Sequence, residues 1–198
     1  MSLPSLLEEA LHRLDGKHLL GEGGSVSVRL PGTQNLLLGV PGKEPTQISL
    51  RDDAHGAHQR HIEVYRARED VGAMAWGGGP FGRMLGEFGG VLPQVFDEQA
   101  RHLGPSFHAG RNIDAVGNVW IHGSHVVVFG STVHRLVLNA ELLEKCAKAY
   151  VLAAATGASL HTLPWWVCRI ANGRLKKDQR RAKERFSQGL LPEEVKGY

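Results

Sequence analysis

Histidines in two short segments are the side chains of this sequence best suited to chemistry near neutral pH. His55, His58 and His61 lie in the first segment, and His122 and His125 lie in the second. Imidazole titrates near neutral pH and is a common metal ligand, so either segment could supply a general base or a metal site. The structural alternative is ordinary hydrogen bonding at a strand turn for His122 and His125. For His61 it is packing under a sheet, which we expect.

A tryptophan followed by a glycine run is the second feature with chemical potential. Trp76 precedes Gly77, Gly78 and Gly79, and Pro80 opens the next element. Backbone N–H groups of such a run can cradle an anion. The alternative is a tight turn that accommodates Trp76. The indole could also form a stacking wall for an aromatic or sugar ligand.

Hydrophobic periodicity predicts the elements that must position these residues. A helix with its N-cap at Ser5 should come first, and 43–54 and 104–110 should be loops. The predicted strands are Ser25–Leu30, Asn35–Val40, Val71–Ala75, Asn118–His122 and His125–Phe129. The other predicted helices are Gly56–Arg68, Pro80–Phe88, Pro93–Leu103, Thr132–Ala155 and the basic Arg174–Phe186. This order predicts an α/β fold with a mainly antiparallel sheet and flanking helices.

Composition excludes several classes of protein. The chain has 198 residues, a formal charge of +3 and two cysteines, Cys146 and Cys168, which make no disulfide framework. Acidic residues occupy the N-terminus, and no run of about 18 apolar residues exists, so we expect no secretory signal, no membrane span and a cytoplasmic location. The basic helix has no nucleic-acid-binding motif and should be a solvated face or subunit contact. Trp165-Trp166 should be a buried or interfacial anchor.

Four segments, in this order, resemble motifs of the class II aldolase/adducin family. They are Gly24–Arg29, similar to Gly-Asn-Val-Ser-x-Arg; Leu37–Gly42, similar to Leu-Ile-Thr-Pro-Ser-Gly; His61–Ala73, similar to His-x-x-x-Tyr-x-x-Arg-Pro-Asp-x-x-Ala; and His125–Thr132, similar to His-Gly-Val-Val-Val-x-Gly-x-Thr. The resemblance spans roughly residues 5 to 157. It implies a three-layer α/β/α sandwich, a homotetramer with sites between subunits, and metal-dependent aldolase, epimerase or decarboxylase chemistry.

The residues that carry this chemistry in the family are replaced here. By the resemblance, a His-x-His metal pair should occupy the positions of Trp76 and Gly78, and a third histidine that of Ser124. The proton-transferring glutamate corresponds to Ala57. At the phosphate-binding positions stand Ser25, Pro41 before Gly42, and His55-Gly56. Tryptophan and glycine side chains cannot bind zinc, so we expect neither a metal nor another cofactor at this site.

Two functions remain open at this stage. The first is a non-catalytic binding or assembly protein, and the second is a metal-independent lyase, decarboxylase or cyclase acting on a non-phosphorylated small molecule. Ligand contacts are predicted at Ser25, Gly42, Trp76, Gly77, Gly78, Gly79 and Ser124, with His122, His125, His55 and His58 as catalytic candidates. We predict a domain at 1–160, a basic helical extension at 161–198, and no nucleic-acid or membrane partner.

Overall fold

In the computed structural model, seven strands and six helices form within the described residues, which are 2–52, 57–88, 90–108, 117–157 and 159–193. Side chains are described for all of these except residues 57 and 108. The strands are β1 (Ser25–Leu30), β2 (Asn35–Gly39), β3 (Thr46–Ser49), β4 (Ala73–Gly77), β5 (Phe107–His108), β6 (Val119–His122) and β7 (His125–Gly130). The helices are α1 (Leu3–Gly16), α2 (Ala57–Ala67), α3 (Pro80–Met84), α4 (Asp97–His102), α5 (Val133–Ala155) and α6 (Trp165–Ser187).

One sheet joins all seven strands in the order β3-β2-β1-β4-β7-β6-β5. Every neighbouring pair is antiparallel except β5 and β6. On one face, apolar residues pack with α1 and α5, and on the other a smaller apolar cluster packs with α2. Helices cover both faces, so the predicted three-layer α/β/α sandwich with a mainly antiparallel sheet is confirmed.

Two arginines fix α2 against β4. Arg29 on β1 donates hydrogen bonds to the carbonyl oxygens of Tyr65, Arg68 and Val71. Arg68 forms a two-pronged ion pair with Asp70, both N–O distances being 2.8 Å. These contacts satisfy carbonyl groups at the end of α2 and hold it over the sheet face that carries Trp76.

Several predicted boundaries are wrong. The first helix begins at Leu3, and its cap is Ser2, whose Oγ accepts from the Ser5 backbone N–H; Pro4 fits the first turn because its missing N–H is not needed there. The segments 43–54 and 104–110 were predicted as loops, but strand β3 lies inside the first and strand β5 inside the second. Helix α4 spans only Asp97–His102 of the longer helix predicted there.

Helix α6 begins nine residues before the predicted start of the basic helix. Its first residues are Trp165 and Trp166, whose exposed fractions are 75% and 55%, so the alternative of a buried anchor is wrong for the single chain. The helix packs against α4, and Arg101 meets Asp178 at 2.6 Å. None of the described helices combines the length and apolar character that a membrane crossing requires.

Candidate functional site

Trp76 and two histidines converge at one end of the sheet. Trp76 is on β4, and its neighbour strand β7 begins at His125, which pairs with His122 across the β6–β7 turn. The indole stacks on the His125 ring at 5.1 Å between centroids, and the His122 ring is 5.5 Å away and tilted. All three side chains are partly exposed. We call these three residues the Trp–His cluster.

His125 has a depressed pKa. Partial burial is the main cause, followed by the positive charge of Arg83 and by His122. The ring is therefore neutral at pH 7 and has one nitrogen with a free lone pair and one that can donate. Ser124 places its Oγ 3.4 Å from Nδ1 of this ring. His125 is chemically able to accept a proton or a hydrogen bond from a bound molecule.

Arg83 of α3 brings a positive charge to the edge of the Trp–His cluster. Its Nε donates to the carbonyl oxygen of Ser124 at 3.1 Å, which ties α3 to the β6–β7 turn. The side chain also runs past Gly21, where an added Cβ would lie 3.0 Å from a terminal guanidinium nitrogen. Within the described residues, those terminal nitrogens have no hydrogen-bond or ion-pair partner. The exposed guanidinium retains donors for an anion.

Trp120 extends the aromatic surface on β6. Its ring meets His122 edge-on at 5.2 Å and stacks with Phe107 at 6.4 Å. The side chain is 7% exposed, and its Nε1–H has no acceptor among the described residues.

A closed chain of hydrogen bonds lies on the other side of Trp76. Ser25, the register partner of Trp76, places its Oγ 2.8 Å from Nε2 of His61. The other ring nitrogen is 2.6 Å from the Oγ of Ser27. The Tyr65 hydroxyl donates to the Ser27 carbonyl and accepts from the Ser27 hydroxyl. Ser27 Oγ must therefore accept from His61 Nδ1–H, which leaves Nε2 to accept from the Ser25 hydroxyl.

The order Ser25, His61, Ser27 resembles a nucleophile, a base and an orienting group, but its chemistry differs. Burial lowers the pKa of His61 to about 3, with His58 adding to the effect. A general base near neutral pH needs a much higher pKa. The third group is a hydroxyl, which cannot stabilise a buried imidazolium as a carboxylate would. This chain therefore positions Ser25 and α2 and does not activate a nucleophile.

The N–H groups that follow the glycine run are already occupied. Glu144 of α5 accepts from the backbone N–H of Phe81 at 2.8 Å and of Gly82 at 2.9 Å. Gly77 and Gly78 have φ values of +135° and +95°, which residues with side chains rarely adopt. The run therefore makes the tight turn that follows Trp76, and the chain supplies its own carboxylate to the first turn of α3.

Zinc does not fit the described residues at this site. Zinc requires three or four nitrogen, sulfur or oxygen donors at about 2.0–2.3 Å. Here an indole occupies one expected position, Gly78 lacks a side chain, and Ser124 is a poor ligand. No group of three histidine, cysteine, aspartate or glutamate side chains is placed to hold a metal ion anywhere in the described ranges.

The remaining predicted site residues lie apart from the Trp–His cluster or outside the described ranges. His58 is exposed on α2, one turn before His61. Gly42 lines a separate concavity with Glu8 and Asp15 of α1. His55 lies outside the described residues. A larger, mainly apolar cavity of about 460 Å³ lies between α4, α5 and α6.

Sequence reasoning missed three residues of this region. Arg83 and Trp120 lie outside the motifs that carry the resemblance, although Trp120 is two residues before His122 and must share its strand face. That period-two spacing could have identified Trp120. Glu144 is 62 residues from Gly82, and nothing in the sequence pairs the two. The contact depends on how α5 lies beside α3.

Comparison with known proteins identifies the fold. No protein-family model matches the sequence, and no curated protein matches it. Among solved structures, an L-fuculose 1-phosphate aldolase matches with a TM-score of 0.72 at 16% identity, covering 87% of this chain and 94% of that chain. The L-fuculose 1-phosphate aldolase from Glaciozyma antarctica gives 0.71 at 14% identity, with 96% and 92% covered.

A third solved structure agrees with these two. The aldolase II superfamily protein from Pseudomonas syringae matches with a TM-score of 0.64 at 16% identity, covering 97% of this chain and 96% of that chain. At such identities the likeness concerns the fold alone. The chain has the class II aldolase-like fold, as the resemblance predicted.

Proposed function

We propose that this chain is a non-catalytic binding protein on a class II aldolase-like fold, with the Trp–His cluster as its ligand site. The observation that carries the proposal is the stacking on His125 of Trp76, which occupies a position where the resemblance implies a metal ligand. An indole cannot bind zinc, but its face is a good surface for a planar or sugar ligand. Ser124 lies beside the stacked rings and offers a polar contact, whereas Ser25 is buried and bonded to His61.

A thermal-shift screen tests the proposal. Ligands of the folded state raise its apparent melting temperature. We expect planar aromatic compounds to raise it and L-fuculose 1-phosphate not to, because the positions that bind phosphate in the family are replaced. Trp76→Leu should abolish the shifts. Leu152→Ala, which truncates an exposed apolar side chain on α5, should leave them unchanged.

Metal analysis and an aldolase assay can contradict the proposal. The proposal is wrong if the purified protein holds near-stoichiometric zinc, manganese or iron and cleaves L-fuculose 1-phosphate. It is also wrong if Trp76→Leu and the parent protein respond identically to every compound that binds. Absence of any shift across sugars, organic acids and aromatics would favour a purely structural assembly subunit.

A second candidate is a metal-independent lyase, decarboxylase or cyclase at the same cluster. The observation that favours it is the neutral, partly exposed imidazole of His125 beside Ser124. A general base works best when its unprotonated form is present at the working pH. Incubating the protein with each compound that binds, and following the compound by NMR, tests this candidate. Turnover that His125→Asn abolishes while binding persists would establish an enzyme.

We further propose that the chain forms homo-oligomers, a tetramer by the resemblance, in a reducing cytoplasm. The exposed apolar residues Trp165, Trp166 and Ile170 at the start of α6 support an interface, because large apolar patches on one chain mark interaction sites. Cys146 and Cys168 are free thiols, in keeping with a reducing compartment. Light scattering that shows a monomer at micromolar concentration would contradict the oligomer.

A further inference from the structure

We infer that the Trp–His cluster selects planar aromatic carboxylates, with Arg83 binding the carboxylate while the ring lies against Trp76. The inference rests on the proposed function, since it names the class of ligand for the same site. Three features of the described residues carry it: the aromatic surface, a guanidinium at its edge whose terminal nitrogens have no described partner, and the shortage of free hydrogen-bond donors around it.

The aromatic surface accounts for the ring. The His122 and His125 rings each lie within 5.5 Å of the Trp76 indole between centroids, and Trp120 adds a fourth π-system through its edge contact with His122. Aromatic pairs prefer stacked or tilted arrangements at such distances. The cluster is partly exposed, so a flat ring can add to it without displacing the apolar core beneath α2.

Arg83 accounts for the negative charge. Its Nε bond to the Ser124 carbonyl fixes the side chain beside the turn that begins with His122 and ends with His125. The terminal nitrogens have no partner in the described part of the chain, whereas Arg29, Arg66, Arg68 and Arg101 all engage described acceptors with their terminal nitrogens. A guanidinium with free terminal nitrogens matches the two oxygens of a carboxylate. The positive charge of Arg83 contributes to the lowered pKa of His125, the ring that stacks on Trp76.

The hydrogen-bonding groups near Trp76 disfavour a polyhydroxylated ligand. Ser25 directs its own proton into His61, so towards a ligand it can only accept. The backbone N–H groups of Phe81 and Gly82 are used by Glu144 and are closed to a phosphate. Few donors and a broad π-surface suit a flat acid better than a sugar.

Isothermal titration calorimetry with three probes tests the inference. Quinoline-2-carboxylate has both the ring and the charge, quinoline has only the ring, and cyclohexanecarboxylate has only the charge. We expect quinoline-2-carboxylate to bind at least tenfold more tightly than either of the others. Arg83→Gln should reduce its affinity about tenfold and leave quinoline within twofold of its original affinity. Arg174→Gln removes an exposed arginine from α6 and should change neither.

The outcomes separate the inference from the proposed function. If quinoline binds as tightly as its carboxylate, or if Arg83→Gln weakens both equally, the role of Arg83 is wrong while ligand binding at the Trp–His cluster stands. If none of the three probes binds, the inference is wrong, and the thermal-shift screen with Trp76→Leu decides separately whether the Trp–His cluster binds another ligand. Arg83→Lys guards against a folding defect: it keeps the charge and should retain part of the preference for the carboxylate.

Discussion

His61 and His125 lie on opposite sides of Trp76, in different surroundings. His61 packs against β1, and His125 is the first residue of β7. His61 is fully buried beneath α2 and both of its ring nitrogens are bonded to serine hydroxyls. His125 is partly exposed, stacked on an indole, and near the Arg83 guanidinium, whose terminal nitrogens have no partner in the described part of the chain. The first imidazole has no capacity left for a ligand. The His125 imidazole can still bond a ligand, so only the His125 side of Trp76 is available for binding.

Removing the buried imidazole should have the largest effect. His61→Ala leaves a cavity and strands the hydroxyls of Ser25 and Ser27, so we expect the free energy of unfolding to fall by about 3–5 kcal/mol. His122→Ala, on the partly exposed side, should cost less than about 1 kcal/mol. Urea denaturation measures both. Equal losses would erase the distinction between the two sides.

Low pH should destabilise the protein through two histidines whose folded pKa is low. The folded pKa of His61 is about 3 and that of His102 about 4, both below the ordinary value near 6.5. The unfolded chain therefore binds protons that the folded chain excludes. Each histidine's contribution is complete above pH 6.5 and is lost as the pH falls towards the folded pKa. Between pH 6.5 and 5, His61 should remove about 1.5 kcal/mol of stability, and His102 should remove less because solvent screens its partly exposed ring.

Substitution assigns that pH dependence to individual residues. His61→Asn and His102→Asn should each reduce the slope of unfolding free energy against pH, and the double variant should reduce it further. Denaturation series at pH 7, 6 and 5 give the slopes. An unchanged slope in His61→Asn would mean that the His61 ring takes up a proton while the protein is folded.

Substituting Glu144 should have a smaller effect and tests whether its carboxylate occupies the backbone N–H groups of Phe81 and Gly82. Glu144→Gln weakens the charge-assisted bonds from Phe81 and Gly82, which should cost about 1–2 kcal/mol. Glu141→Gln is the matched control, because Glu141 lies one turn earlier on α5 and pairs with Arg13 at the surface, a contact worth less than about 1 kcal/mol. Denaturation of the two variants side by side measures the difference. If Glu144→Gln instead lets the protein bind phosphate, the glycine run is an anion site after all.

The sequence predicted the elements whose residues are most periodic. Helix α5 was predicted to within one residue because its apolar stripe is long and Thr132 caps it. Strand β3 was missed because Thr46, Gln47 and Ser49 are polar, which an edge strand tolerates and a pattern search interprets as a loop. Trp165 and Trp166 were predicted to be a buried or interfacial anchor, because tryptophan is large and apolar. They begin α6 at the surface of the single chain.

The candidate site was predictable only in part. The motif order placed Trp76 near Ser124 and His125, and the pairing of β4 with β7 brings Trp76 and His125 together. The bonds from His61 to Ser25 and Ser27 cross between a helix and a strand, and the contact of Glu144 with α3 crosses between two helices. Such contacts depend on how elements pack, which local spacing does not encode.

Gly78 makes a His-x-His pair at positions 76 and 78 difficult to build on this backbone. Histidines there would require a side chain where the backbone has φ +95° and where a Cβ would lie 2.9 Å from that of Val126. The second histidine would fit only after the turn and α3 had been rebuilt around it. No single substitution at 76 or 78 therefore gives this chain a pair of metal ligands, because position 78 accepts a side chain only in another backbone conformation.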